Sequence, residues 1–179
     1  GSNYLETMAQ TKYVVFDKTG TLTKGEFEVN ELLTADGVSE AELLEAAAYA
    51  ENFSDHPIAA SIKRAFAKEG NEIAAERISD VKEVAGHGIR ILLDGAEVFA
   101  GNEKLLSDNS IAAVPTEKPG TVVYVAKNGS YMGCVIISDT IKPEARQAIK
   151  SLKQAGVKQT VMLTGDRKKA GEAVAKELG

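Results

Sequence analysis

The stretch Tyr13-Val-Val-Phe-Asp-Lys-Thr-Gly-Thr-Leu-Thr23 decides the architecture. Four apolar residues run unbroken into a polar, glycine-containing turn, which predicts a buried parallel strand with Asp17 at its carboxyl end. Far along the chain, Val161-Met-Leu163 predicts a second buried strand, and Thr164-Gly-Asp166 turns from it into a last helix. Ahead of that strand, Pro143 opens a helix with Ala145, Ala148, Ile149 and Leu152 inward and Gly156 as its stop. The middle reads differently. Ile89 to Leu93 turns at Asp94-Gly95 into Ala96 to Ala100, and Thr121 to Lys127 turns at Asn128-Gly129 into Ser130 to Ile137, two antiparallel hairpins. Before them, Phe27, Val29 and Leu33 share one face of a half-exposed strand from Glu26. Ser39 and Glu42 form a capping box for a helix through Ala50, and Pro57 starts a second helix that Gly70 closes. Strand, turn and helix at both ends with hairpins between predict an α/β domain split by an inserted α+β domain, with joints near Lys24 and Cys134.

Length and composition bound the function. The 179 residues suffice for one domain or two small ones, and 44% hydrophobic with 26% charged residues is ordinary globular composition. The 21 basic and 26 acidic residues leave a net charge of −5, which argues against a nucleic-acid binder. The apolar runs Ala46 to Ala50 and Val122 to Ala126 are far shorter than the roughly 20 residues of a membrane span. Gly1-Ser2 reads as a cloning remnant, and with no signal-peptide core a reducing cytosolic setting is the expectation. Cys134 has no partner for a disulfide and sits in an apolar strand, and His56 and His87 show no zinc-binding spacing.

Asp17-Lys-Thr-Gly-Thr-Leu-Thr23 resembles the phosphorylation motif of P-type ATPases, ion pumps built on a haloacid-dehalogenase-like core. The chemistry agrees with the resemblance. A carboxylate at the end of a parallel strand lies at the usual ligand crevice of an open α/β sheet, and its attack on a terminal phosphate would give an acyl phosphate. Lys18 would relieve charge repulsion, while Thr19 and Thr21 offer hydroxyls and amides to phosphoryl oxygens. Related hydrolases carry a second acid two residues after the nucleophile; Thr19 stands there instead, which suits a phosphoenzyme meant to persist. Thr164-Gly165-Asp166 is similar to the family's T-G-D motif, although Asp166 would serve equally as a plain helix cap. Asp139, in Ser138-Asp-Thr-Ile-Lys-Pro143, matches the pumps' D-x-x-x-P element, or merely ends a strand or caps a helix.

Within the insert, Ser54-Asp-His-Pro57 with Glu51 before it, Gly86-His-Gly-Ile89 and Gly101-Asn102 resemble the nucleotide-binding domain of heavy-metal-transporting P-type ATPases. Glu51 can accept from an adenine amino group, and His56 offers a flat ring with a donor or acceptor nitrogen. Gly86 and Gly88 let backbone amides approach ribose or phosphate. Asn102 can bond ribose or phosphate, or simply cap a short helix through Leu106. Each also has a bland reading as cap, turn or solvated surface. His87, between the glycines, is expected to face solvent.

The resemblance implies an α/β fold: an incomplete haloacid-dehalogenase-like parallel sheet core, residues 3–24 and 135–179, and an inserted α+β nucleotide-binding domain on an antiparallel sheet, residues 25–134. It implies ATP and Mg²⁺ as ligands, with Asp17 and the Thr19 carbonyl as magnesium donors. It implies a larger pump as partner, with transmembrane and actuator domains, this region being a soluble, monomeric piece at the cytoplasmic face. The cation class reads closer to zinc, cadmium and lead than to copper. Because the chain stops at Gly179, before the family's lysine and G-D-G-x-N-D segment, turnover by the chain alone is not expected. The rivals are a soluble phosphatase on the same core, which Thr19 argues against, and a nucleotide-sensing module that never forms a phosphoenzyme.

Overall fold

The computed structural model describes residues 10–165 and 168–179. The chain divides into two compact units, Gly1–Glu26 with Asp139–Gly179, and Phe27–Ser138. Each is described by itself.

In the first unit, β1 (Tyr13–Asp17) pairs in parallel with β8 (Gln159–Leu163), Val15 opposite Val161 and Asp17 opposite Leu163. Both strands form where the apolar runs predict them, but they are not buried: Tyr13, Val15 and Leu163 are 65%, 58% and 58% exposed. The reason lies in the pleat. Alternate residues point to opposite faces, and only the face of Phe16 and Met162 is covered, by Ala145 and Ile149 of α4 (Ala145–Gln154) and Val174 and Leu178 of α5 (Lys168–Leu178). Helix α4 starts two residues after Pro143, which lies in the preceding turn, and Ala148 is exposed rather than inward. With one sheet face to cover, a narrow stripe of this short helix suffices.

Between β1 and β2 (Thr23–Thr34) the chain makes a coiled turn, Lys18–Leu22, broken by extended Thr19 (φ −73°, ψ 125°) and left-handed Gly20 (φ 77°). Its closure is polar and buried. The Thr23 amide donates to the Lys18 carbonyl, and Thr23 Oγ1 lies 3.0 Å from the same oxygen and accepts from the Gly20 amide. The Thr23 hydroxyl meets Asp139 Oδ2 at 2.5 Å, and Asp139 Oδ1 accepts from the Gly25 amide at 2.9 Å. Asp139 is buried and does not simply end a strand, because β7 (Ser130–Ile141) runs through it.

The second unit holds the rest of a six-stranded sheet ordered β2-β7-β6-β5-β4-β3, with β3 (Ile78–Val84), β4 (Gly88–Leu93), β5 (Ala96–Gly101) and β6 (Thr121–Lys127). The Asp94-Gly95 and Asn128-Gly129 turns have positive φ at both central residues, the twist that tight hairpins require. The sheet is covered on both faces. On one side α1 (Glu40–Ala50) and α2 (Pro57–Lys68) bury Leu43, Leu44, Tyr49, Ile62 and Phe66 against Ile91, Val98, Val125, Val135 and Ile137. On the other, α3 (Glu103–Asp108) sets Leu105 and Leu106 against Phe99, Tyr124, Cys134 and Ile136. Two covered faces explain why Leu33 does not join Phe27 and Val29: the alternation lapses over Glu31–Leu33, and Leu32 packs on the first side while Leu33 packs on the second. The Ser39–Glu42 capping box forms in full.

Candidate functional site

The predicted residues fall into two groups, one on each unit. In the first unit the parallel register brings the end of β1 beside the end of β8, so Asp17, opposite Leu163, is one residue from the level of Thr164. Asp17 lies on the open face of the strand pair, exposed, and Thr19 and Gly165 are exposed beyond it. Thr164 is half-buried and engaged with neighbours. Lys18 is 5% exposed and also engaged, as a buried ammonium must be. The Lys142 ammonium donates to the Gly20 carbonyl at 2.7 Å, a second tether on the 18–22 turn that sequence reasoning missed. Asp166 lies outside the described residues.

The donor chemistry suits Mg²⁺. Among the described residues no cluster of three His, Cys, Asp or Glu side chains forms. An exposed carboxylate at Asp17 and a backbone carbonyl at Thr19 are hard oxygen donors of the sort a magnesium ion takes when it keeps several waters and shares its shell with a phosphate.

In the second unit Glu51 and His56 flank the connection between α1 and α2, while Gly86, Gly88, Gly101 and Asn102 come together where β4, β5 and α3 meet. Glu51 opens a single turn of 3₁₀ helix, Glu51–Phe53, after α1. Burial pushes its carboxyl above the usual range; the Ser54 hydroxyl and Lys63 oppose this, and the negative charge of Glu83 adds to it. Glu83 itself lies on β3, opposite Ile89 of β4. His56 is the N-cap of α2. Its Nδ1 accepts from the Ile58 amide at 3.2 Å, which leaves the proton of the neutral ring on Nε2, at the exposed end of the side chain.

The glycines divide by cause. Gly88 and Gly101 face each other across β4 and β5, and a Cβ on Gly88 would stand 2.2 Å from the Ala100 carbonyl, one on Gly101 2.2 Å from that of His87. Two backbones cross there too closely for any side chain. Gly86 has φ 70° with open space where a Cβ would be. Asn102 fastens this turn to α3: Oδ1 caps the helix by accepting from the Leu105 amide at 3.0 Å, and Nδ2 donates to the Gly86 carbonyl at 3.0 Å.

Two further residues join the group. His87 is half-buried rather than solvent-facing: Nδ1 meets the Ala85 carbonyl at 2.7 Å, and Nε2 meets the Lys104 ammonium at 3.0 Å. Lys63 donates to the carbonyls of Asn52 (3.1 Å) and Ser54 (2.9 Å), locking the turn that carries Glu51. The signal for Lys63 was faint, a lone cation two turns into the helix that His56 caps. A groove of about 520 Å³ between β2 and α2, lined by Phe27, Arg64 and Lys68, contains none of these residues.

A cadmium, zinc and cobalt-transporting ATPase of Bacillus subtilis (strain 168) is 52% identical over all 179 residues, 25% of its own length. A solved zinc-transporting PIB-type ATPase in an E2.Pi state superposes with a TM-score of 0.77 at 33% identity, covering 94% of this chain and 28% of that one. The catalytic domain of the CPx-ATPase CopB-B, solved in a study of nucleotide binding, gives 0.72 at 26% identity over 99% of this chain and 63% of that one. The chain thus spans about a quarter of the length of the curated relative it matches. Among the described residues no helix is long and apolar enough to cross a membrane. The haloacid dehalogenase-like hydrolase model matches residues 11–179, and the chain belongs to that family, its relatives across the full length being heavy-metal P-type ATPases.

Proposed function

We propose that this chain is the ATP-binding and phosphorylation region of a heavy-metal-exporting P-type ATPase, acting at the cytoplasmic face of a membrane pump and coupling ATP hydrolysis to export of zinc, cadmium or a similar cation. One observation carries the reading: Asp17 ends an open-faced parallel strand opposite Leu163, one residue before Thr164, within an Asp17-Lys-Thr-Gly-Thr-Leu-Thr23 stretch. The length and identity of the match to a cadmium, zinc and cobalt pump support the cation class.

The second unit would hold adenine at Glu51 and His56, with the 86–88 turn and Asn102 toward the ribose. In the first unit a carboxylate oxygen of Asp17 attacks the γ-phosphorus of ATP. The new O–P bond forms as the bond to the β-phosphate bridging oxygen breaks, and ADP leaves with the electron pair. Thr19, Thr164 and Gly165 offer hydroxyls and amides to the transferring oxygens, and Lys18 supplies positive charge beneath the turn. Bound Mg²⁺, held by Asp17 and the Thr19 carbonyl, would neutralise phosphate charge. With Thr19 where phosphatases place a second acid, no side chain at that position activates water, so the aspartyl phosphate persists.

The test is metal-dependent labelling of the complete pump by γ-labelled ATP. Acid-stable, hydroxylamine-sensitive label that is absent in Asp17→Asn supports the reading. Label-free turnover of small phosphate esters would indicate a phosphatase instead, and ATP binding without label a sensor.

A further inference from the structure

The proposed adenine contacts sit on a turn that also presents an aromatic side chain with no partner in either core cluster. Phe53 is 57% exposed, and among the described residues of its unit it is the exposed aromatic. Left in water, its ring keeps a free apolar face that a ligand ring could cover. Its backbone is held from both sides: the one Lys63 ammonium grips the carbonyl before it, on Asn52, and the carbonyl after it, on Ser54. The Ser54 amide closes onto the Glu51 carbonyl at 3.1 Å, and Ser54 Oγ accepts from the His56 amide at 3.3 Å. Phe53 is therefore an exposed aromatic on a tethered backbone, between Glu51, two residues before it, and His56, three after it.

A purine offers two surfaces to recognise. Its edge carries the amino group or carbonyl that tells adenine from guanine, and its face is a π-surface that stacks on another ring with little regard to base identity. Glu51 answers the edge. We propose that Phe53 is a further nucleotide-binding residue that stacks on the face of the base, supplying affinity that is blind to base identity beside the base discrimination of Glu51. The proposal rests on the ATP-binding reading above.

The chain lacks tryptophan, which makes the test direct. In calorimetry with ATP and with GTP, Phe53→Ala and Phe53→Leu are expected to weaken both nucleotides by the same factor, at least about fivefold, as loss of one stacked base contact does. Glu51→Gln is expected to weaken ATP more than GTP. Phe53→Trp should retain ATP affinity, and its fluorescence should be quenched saturably by ATP and restored when the nucleotide is dialysed away. Thermal melting of Phe53→Ala should match the parent, since the side chain is exposed. If the parent binds ATP and both Phe53→Ala and Phe53→Leu bind it within twofold of the parent, the stacking role is overturned and the ATP-binding reading stands. If the parent binds no ATP, the reading and this role fall together.

Discussion

The Thr23 hydroxyl and the Asp139 carboxylate meet at 2.5 Å, both buried, from positions 116 residues apart. The contact holds the end of the 18–22 turn that follows Asp17, because the same hydroxyl accepts from the Gly20 amide. Asp139→Ala removes the acceptor of the Gly25 amide as well and is expected to cost about 1 to 3 kcal/mol locally. Asp139→Asn should cost less, since its carbonyl still accepts from Gly25 and its amide can donate to Thr23 Oγ1, whose proton then turns to the Lys18 carbonyl at 3.0 Å. Amide hydrogen exchange at Gly20 and Gly25 reads this directly: fast in the alanine variant, near parental in the asparagine one.

His56 caps α2 and, on the proposed reading, also meets the base, two roles that one substitution cannot separate and two can. His56→Ala loses the cap of α2, about 1 kcal/mol, and the ring as well, so melting temperature and ATP affinity both fall. His56→Asn keeps a capping acceptor and removes the ring. Its melting temperature should stay close to the parent's while ATP affinity drops about fivefold or more, for a lost polar contact of about 1 kcal/mol or more. Equal ATP affinity in His56→Asn would reduce the residue to a cap.

The three glycines of the β4–β5 end should respond unequally. Gly88→Ala and Gly101→Ala put a Cβ into backbone at 2.2 Å and are expected to cost about 3 kcal/mol or more, lowering expression and melting temperature together. Gly86→Ala meets nothing and pays only for its left-handed backbone, about 1 to 2 kcal/mol. A folded Gly86→Ala chain with weakened ATP binding would place ligand against the 86–88 turn.

Glu51 ties stability to pH with a definite sign. Its carboxyl is pushed above the ordinary 4.5, first by burial, so the folded state holds its proton more tightly than the unfolded chain does. The stability linked to that proton is fully present below 4.5 and is lost as pH rises through the raised value. Glu51→Gln carries no such proton. Relative to the parent, its melting temperature should therefore rise as pH climbs above 4.5, even as ATP affinity falls. A constant difference across that range would show that the carboxyl is not perturbed.

Local chemistry was legible and long-range contact was not. Asp94-Gly95, Asn128-Gly129, the Ser39–Glu42 box and Pro57 each carry their geometry within four residues, and each element formed as read. The exposure of Val15 and Leu163 could not be read, because an apolar run does not say how many of its two faces find cover. The glycines of the Gly86-His-Gly motif looked alike, yet Gly88 answers to a strand thirteen residues on and Gly86 to a turn. Nothing in the sequence sets Lys63, Lys104 and Lys142 apart from other lysines, and only the folded chain shows which carbonyl or ring each one holds.

The bond from Gly25 to Asp139 also bears on how a chain tolerates so large an interruption. It joins, at 2.9 Å, two residues that are 114 apart in sequence, one just before the chain departs for the second unit and one just after it returns. For an unfolded loop of that length, bringing the ends together costs on the order of 4 kcal/mol of chain entropy. Once the second unit has folded with β2 and β7 as sheet neighbours, most of that cost is already met, and the host core sees something close to a hairpin. Folding order follows: the insert should reach its native state first, and a host core whose insert is replaced by a tight two-residue turn should fold faster than the natural chain.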